Sequence, residues 1–130
     1  MTTPFWCLLI IIVLPYVLAG MGGYFRVQQF GTLDNQQPRT QAASLEGIGA
    51  RVYAAQQNAW EALPVFATSV FVAHLAGADA QKSAIAAILF VIVRILHAGF
   101  YLANLDKLRT LIFFVGLGSC IWLFILAARA

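Results

Sequence analysis

The chain has 130 residues, of which 62% are hydrophobic and 10% charged, and its formal net charge is +3. Soluble domains carry roughly 25% charged residues, so a water-soluble globule this small would have to expose much of its apolar mass. The composition excludes an ordinary soluble domain and points to lipid. The few cations form no basic run interleaved with exposed aromatics, which excludes nucleic acid as a partner.

The first apolar block runs from Phe5 to about Phe25 without a charge and predicts a helix over 5–28. A helix rises about 1.5 Å per residue, so about 20 residues cross a hydrocarbon core of roughly 30 Å. The block is longer than a leader's apolar core, and Met1–Trp6 holds no Lys or Arg, so it reads as a membrane helix rather than a cleaved signal. Pro15 inside it predicts a kink. The polar stretch Gly31–Ser44 reads as an aqueous loop, partly mobile, with Asp34, Asn35 and Pro38 as turn formers. A second helix follows over 47–76, opened by Ser44 or Glu46. Gly77–Ala80 is a turn, helix three covers 81–104, Asn104–Asp106 is a second turn, and helix four covers 108–128.

This pattern predicts one domain over 1–130. Its expected fold is all-α, an integral membrane four-helix bundle that crosses the bilayer four times. Arg26, Arg39, Arg51, Lys107 and Arg109 gather on the side of the first and third loops, whereas Lys82 and Arg129 lie on the other. Positive charge marks the cytoplasmic side, so both termini are expected on the non-cytoplasmic side. Cys7 and Cys120 fall within apolar blocks with no metal or redox spacing, so they read as small buried residues and no metal site is expected.

Ionisable groups at membrane depth are costly and usually mark a buried pair or a functional site. Glu61, Arg94 and His97 are the three cases, accompanied by Asn58 and Tyr101. Arg51, Ala54, Ala55, Asn58, Glu61 and Ala62 share one face of the second helix, and Arg94, His97, Tyr101 and Asn104 share one face of the third. Glu61 lies about 15 Å along its helix from Arg51, and Arg94 is equally far from Asn104, so the two sit level in antiparallel helices. The bland reading is a structural Glu61–Arg94 ion pair. The alternative is a polar cavity for a charged ligand, with an apolar partner arriving from lipid. His74, near the far end of its helix, reads as an interfacial histidine.

The stretch Arg51-Val-Tyr-Ala-Ala-Gln-Gln-Asn58-Ala-Trp-Glu61-Ala-Leu-Pro64-Val-Phe66 resembles the signature of the MAPEG family, the membrane-associated proteins in eicosanoid and glutathione metabolism. Its Arg-Val-Tyr-x-Ala-Gln-x-Asn core is similar to the leukotriene-synthase and microsomal glutathione-transferase branch. Arg94-Ile-Leu-His97-Ala-Gly-Phe-Tyr101 resembles the family's third-helix motif, and Arg109-Thr110 its Arg-Ser/Thr pair. The resemblance implies a homotrimer with glutathione as co-substrate, bound at subunit interfaces facing the cytoplasm. It implies that Asn58 and Glu61 contact the peptide part, that Arg94, His97 and Tyr101 line the pocket, and that Arg51 and Gln56 are further pocket residues. Arg109 is the implied catalytic residue, stabilising the thiolate, and Arg26 corresponds to an arginine at the end of the family's first helix. Many members carry a second arginine where this chain has Ala54, and some a basic residue where it has Gln57.

The implied activity is conjugation of glutathione to lipophilic electrophiles, or peroxide reduction, by a protein of the bacterial inner membrane. The alternatives are a non-catalytic membrane protein that retains the fold, or a small-molecule binder or transporter. Small multidrug transporters place their key carboxylate in the first helix, which here has no acid.

Overall fold

The computed structural model describes all 130 residues, and every regular element is a helix. In chain order these are α1 (Thr3–Phe30), α2 (Pro38–Ala43), α3 (Gly47–Leu75), α4 (Ala80–Leu102) and α5 (Asp106–Ala128). Three of them, α1, α4 and α5, are both long and apolar enough to cross a membrane. The 29 residues of α3 give it the length. Its first half carries Arg51, Gln56, Gln57, Asn58 and Glu61, and this lowers its apolar content below that of the others. The helix runs on through Pro15 in α1 and through Pro64 in α3.

The short helix α2 corrects the expectation of an irregular loop. Pro38 opens it at a first-turn position, where its fixed φ suits a helix and its missing N–H costs nothing. Ahead of it, Asp34 Oδ1 accepts from the N–H groups of Gln36 and Gln37 at 2.9 and 3.0 Å. Gln41 donates to the Thr32 carbonyl at 2.9 Å and accepts from the Asp34 N–H at 3.1 Å. Arg26 Nη1 donates to the Pro38 carbonyl at 3.2 Å. Gln29 donates to the Ser44 carbonyl at 3.2 Å and accepts from the Glu46 N–H at 2.9 Å. The polar side chains Asp34 and Gln41 that suggested a solvated loop therefore brace the segment internally, and Arg26 and Gln29 of α1 tie it to that helix.

The start of α3 also departs from expectation. Ser44 turns its hydroxyl back to the Thr40 carbonyl at 2.9 Å, and so belongs to the end of α2. Glu46 occupies the capping position with extended backbone, but its carboxylate caps nothing. The turns fall where the sequence placed them. Gly31 ends α1 with φ 80°, and Asn104 ends the α4 segment with φ 58°, a left-handed conformation that asparagine tolerates better than most residues.

Helix α1 packs on α3 and α4, α3 also on α4 and α5, and α4 on α5. The core centres on Phe66 and Phe90, whose rings stack with centroids 4.1 Å apart, and Ile11, Val70, Ala87 and Leu123 surround them. Cys7 and Cys120 are free thiols within this core. Two glycines set close approaches. A Cβ on Gly49 would lie 3.1 Å from Phe25 Cβ, and one on Gly116 would lie 3.2 Å from Val93 Cγ2. Outward faces carry Leu9, Ile10, Ile85, Ile92, Phe114 and Ile121, all exposed. Such a surface is unfavourable in water and suited to hydrocarbon.

Candidate functional site

Periodicity on α3 and α4 delivers the polar residues to one end of the helices. Arg94 and His97, one turn apart on α4, are 4% and 3% exposed. Arg94 Nη2 donates to Asn58 Oδ1 at 2.6 Å, a short charge-assisted bond. This corrects the level Glu61–Arg94 ion pair: the guanidinium hydrogen-bonds the amide of Asn58, and Glu61 remains exposed. Glu61 still borders the same cavity of about 180 Å³ as Asn58, Arg94, Phe113 and Gly116.

A neighbouring cavity of about 320 Å³ is lined by Asn58, His97, Tyr101, Arg109, Thr110 and Phe113. Asn58 and Phe113 border both cavities, so the two are adjacent compartments of one region. The Arg109 guanidinium carbon lies 4.2 Å from the centre of the Tyr101 ring, a cation–π contact that fixes the cation over the cavity. The His97 ring meets Tyr101 edge-on, with centroids 5.6 Å apart. Its Nδ1 is buried without a hydrogen-bond partner. Arg109 stands in the first turns of α5, where free backbone N–H groups add to its positive field.

Of the residues singled out from the sequence, Asn58, Arg94, His97, Tyr101 and Arg109 come together here, with Glu61 at the rim. Two do not. Arg51 Nε donates to the Leu102 carbonyl at 3.1 Å and braces the start of α3 against the end of α4. Gln56 is two residues from Asn58, which rotates it by about 200° to the other side of α3. There it lines a separate cavity of about 540 Å³ with Arg26, Arg39, Tyr53, Gln57 and Trp60. Sequence reasoning missed the apolar lining of the Asn58 site, above all Phe113, which borders both cavities. It lies one turn after Arg109, but an apolar residue in an apolar helix carries no signal beyond that spacing.

The model of the MAPEG family matches residues 3–129. The chain belongs to the MAPEG family. No curated protein matches it. Membership in MAPEG and the three apolar helices make it an integral membrane protein of the glutathione and eicosanoid metabolism family. The motif residues Asn58 and Glu61 on α3, and Arg94, His97 and Tyr101 on α4, are those that border the paired cavities.

Proposed function

We propose that this MAPEG protein binds glutathione and transfers it to lipophilic electrophiles. The observation that carries this reading is the placement of Arg109 over the Tyr101 ring, beside His97 and Asn58, in a cavity at one end of apolar helices. Glutathione is anionic overall and carries one ammonium group. A site for it needs cations and a carboxylate at once, and Arg94, Arg109 and Glu61 supply that set. A thiol near a guanidinium ionises more readily, and the resulting thiolate is the nucleophile. With an aryl halide, the thiolate sulfur bonds to the ring carbon, halide leaves, and the thiol proton passes to solvent. Arg109 holds the thiolate charge before attack, and the membrane concentrates the apolar co-substrate.

The same reading includes a fourth crossing by α3, with both termini on the non-cytoplasmic side of a bacterial inner membrane, and a homotrimer. Support for assembly comes from α3 itself. Gln56 and Arg26 open on one flank of the subunit, and Asn58 and Arg109 on another. Within one chain the two sets line separate cavities. Copies arranged head to tail around an axis bring the Gln56 flank of one to the Asn58 flank of the next, and such contacts close into a ring. Ala54 and Gln57, which stand where relatives carry cations, favour a second reading in which the chain binds the peptide without turning it over.

Calorimetric titration of the detergent-purified protein with glutathione tests the reading. Binding at one site per chain, followed by conjugation of an aryl halide, supports the transferase. Binding without conjugation selects the second reading, and no heat of binding overturns both.

A further inference from the structure

At the end of the helices away from Arg109 lies another cavity, of about 470 Å³, walled by Pro4 of α1, Ala73 and His74 of α3, Ser83 of α4 and Leu123 of α5. Ser83 is 6% exposed, and its hydroxyl is shut off from solvent with no hydrogen-bond partner. Other hydroxyls in these helices behave differently. Ser69 donates to the Phe66 carbonyl at 2.8 Å, Thr110 to Asp106 at 3.1 Å and Ser119 to Val115 at 3.1 Å. Each is satisfied by its own helix, three or four residues back. Ser83 has the same option at the Asp79 carbonyl, which accepts only the Ser83 backbone N–H at 3.0 Å. A buried polar group left unbonded forfeits its bond to water with nothing in exchange, so the hydroxyl is available to a ligand.

The walls define that ligand. No Lys, Arg, Asp or Glu lines the cavity. The nearby Asp79 carboxylate is engaged in capping α4, accepting from the Lys82 N–H at 2.8 Å. His74 sets its ring edge-on against Phe5, with centroids 4.8 Å apart. A formal charge on the ligand would thus have no counter-ion. Val70, Ala73 and Leu123 continue the apolar core to the cavity floor. At the mouth Thr2, whose side chain does not cap α1, offers a second hydroxyl. The volume is in the range of small-molecule sites, about 300–1,000 Å³.

We propose that this cavity binds an uncharged, carbonyl-bearing lipophile from the bilayer, held by a hydrogen bond from the Ser83 hydroxyl to the ligand carbonyl. The site is independent of the glutathione reading and lies at the opposite end of the helices.

The test uses the full chain in phosphatidylcholine vesicles, photolysed with 4-heptylbenzophenone. The excited carbonyl inserts into neighbouring C–H bonds, so adducts mapped by mass spectrometry report where it sits. Adducts should saturate and cluster on Val70, Ala73 and Leu123. Ser83→Ala should lower their yield about three- to tenfold, the value of one hydrogen bond. Ala80→Trp, at an exposed position on the cavity rim, should block them by filling the mouth. Displacement by 2-undecanone marks a diffusible ketone as the occupant, and displacement by diacylglycerol marks a lipid ester. Non-saturating adducts spread over lipid-facing residues such as Ile88 and Phe114, or an unchanged yield in both variants, would overturn the proposal.

Discussion

Arg94 and His97 sit one turn apart on the same helix, equally buried, yet the structure treats them differently. Arg94 is closed towards α3, where one of its N–H groups is bonded to Asn58, while the side chain also borders the cavity it shares with Glu61. His97 is open: one ring nitrogen has no partner, and the ring borders a cavity shared with Tyr101 and Arg109. The level of Arg94 joins two helices, whereas His97 forms no hydrogen bond to a neighbouring helix and its Nδ1 has no partner. Burial alone therefore does not distinguish a strut from a binding group. Whether the group is tied across to a neighbouring helix does.

Three substitutions sharpen this contrast. Arg109→Ala acts only on the open level, and is expected to lower turnover of an aryl halide about 100-fold, as loss of a charge-stabilising donor does. Glutathione affinity and thermal unfolding in detergent should change far less, and equal losses in turnover and affinity would reduce Arg109 to a binding group. Asn58→Leu acts on the closed level. It strands a buried guanidinium and should destabilise the fold by about 2 kcal/mol, measured by denaturant titration in mixed micelles. The double variant Asn58→Leu/Arg94→Met should recover most of that loss, because both ends of the bond are then apolar. Additive losses would show that the two residues act separately. His97→Leu should be the mildest for stability, within about 1 kcal/mol of the parent, since no native bond is lost. A loss as large as that of Asn58→Leu would make His97 a strut after all.

Glu61 offers a finer test. It is exposed at the cavity rim and takes no part in the Arg94–Asn58 bond. Glu61→Gln should weaken glutathione binding in calorimetry while leaving the folded helix content intact by circular dichroism. Unchanged affinity would remove it from the site.

Much of this was legible because lipid simplifies the code. Unbroken apolar runs located α1, α4 and α5, and three- and four-residue spacing put Asn58 and Glu61 on one face of α3, and Arg94, His97 and Tyr101 on one face of α4. Helical depth was also readable, but side-chain choice was not. Asn58 and Glu61 both lie within reach of the level of Arg94, and which of them bonds it depends on rotamers and packing that spacing does not encode. The helix α2 was hidden for a related reason. Polar residues such as Gln41 and Asp34 read as solvated until their backbone partners are known. Gln56, two residues from Asn58, lies on the other flank of α3, so one chain does not bring the two to a single cavity.

The missing side chain at Gly49 has a further effect. The helix pair α1 and α3 touches there so closely that one added carbon would meet Phe25 Cβ, an atom anchored to its own backbone. The backbone there would have to give by a few tenths of an ångström, beside the cleft that holds Arg26 and Gln56. A single methyl at residue 49 would thus work as a thin wedge between α1 and α3, next to those two side chains without touching either.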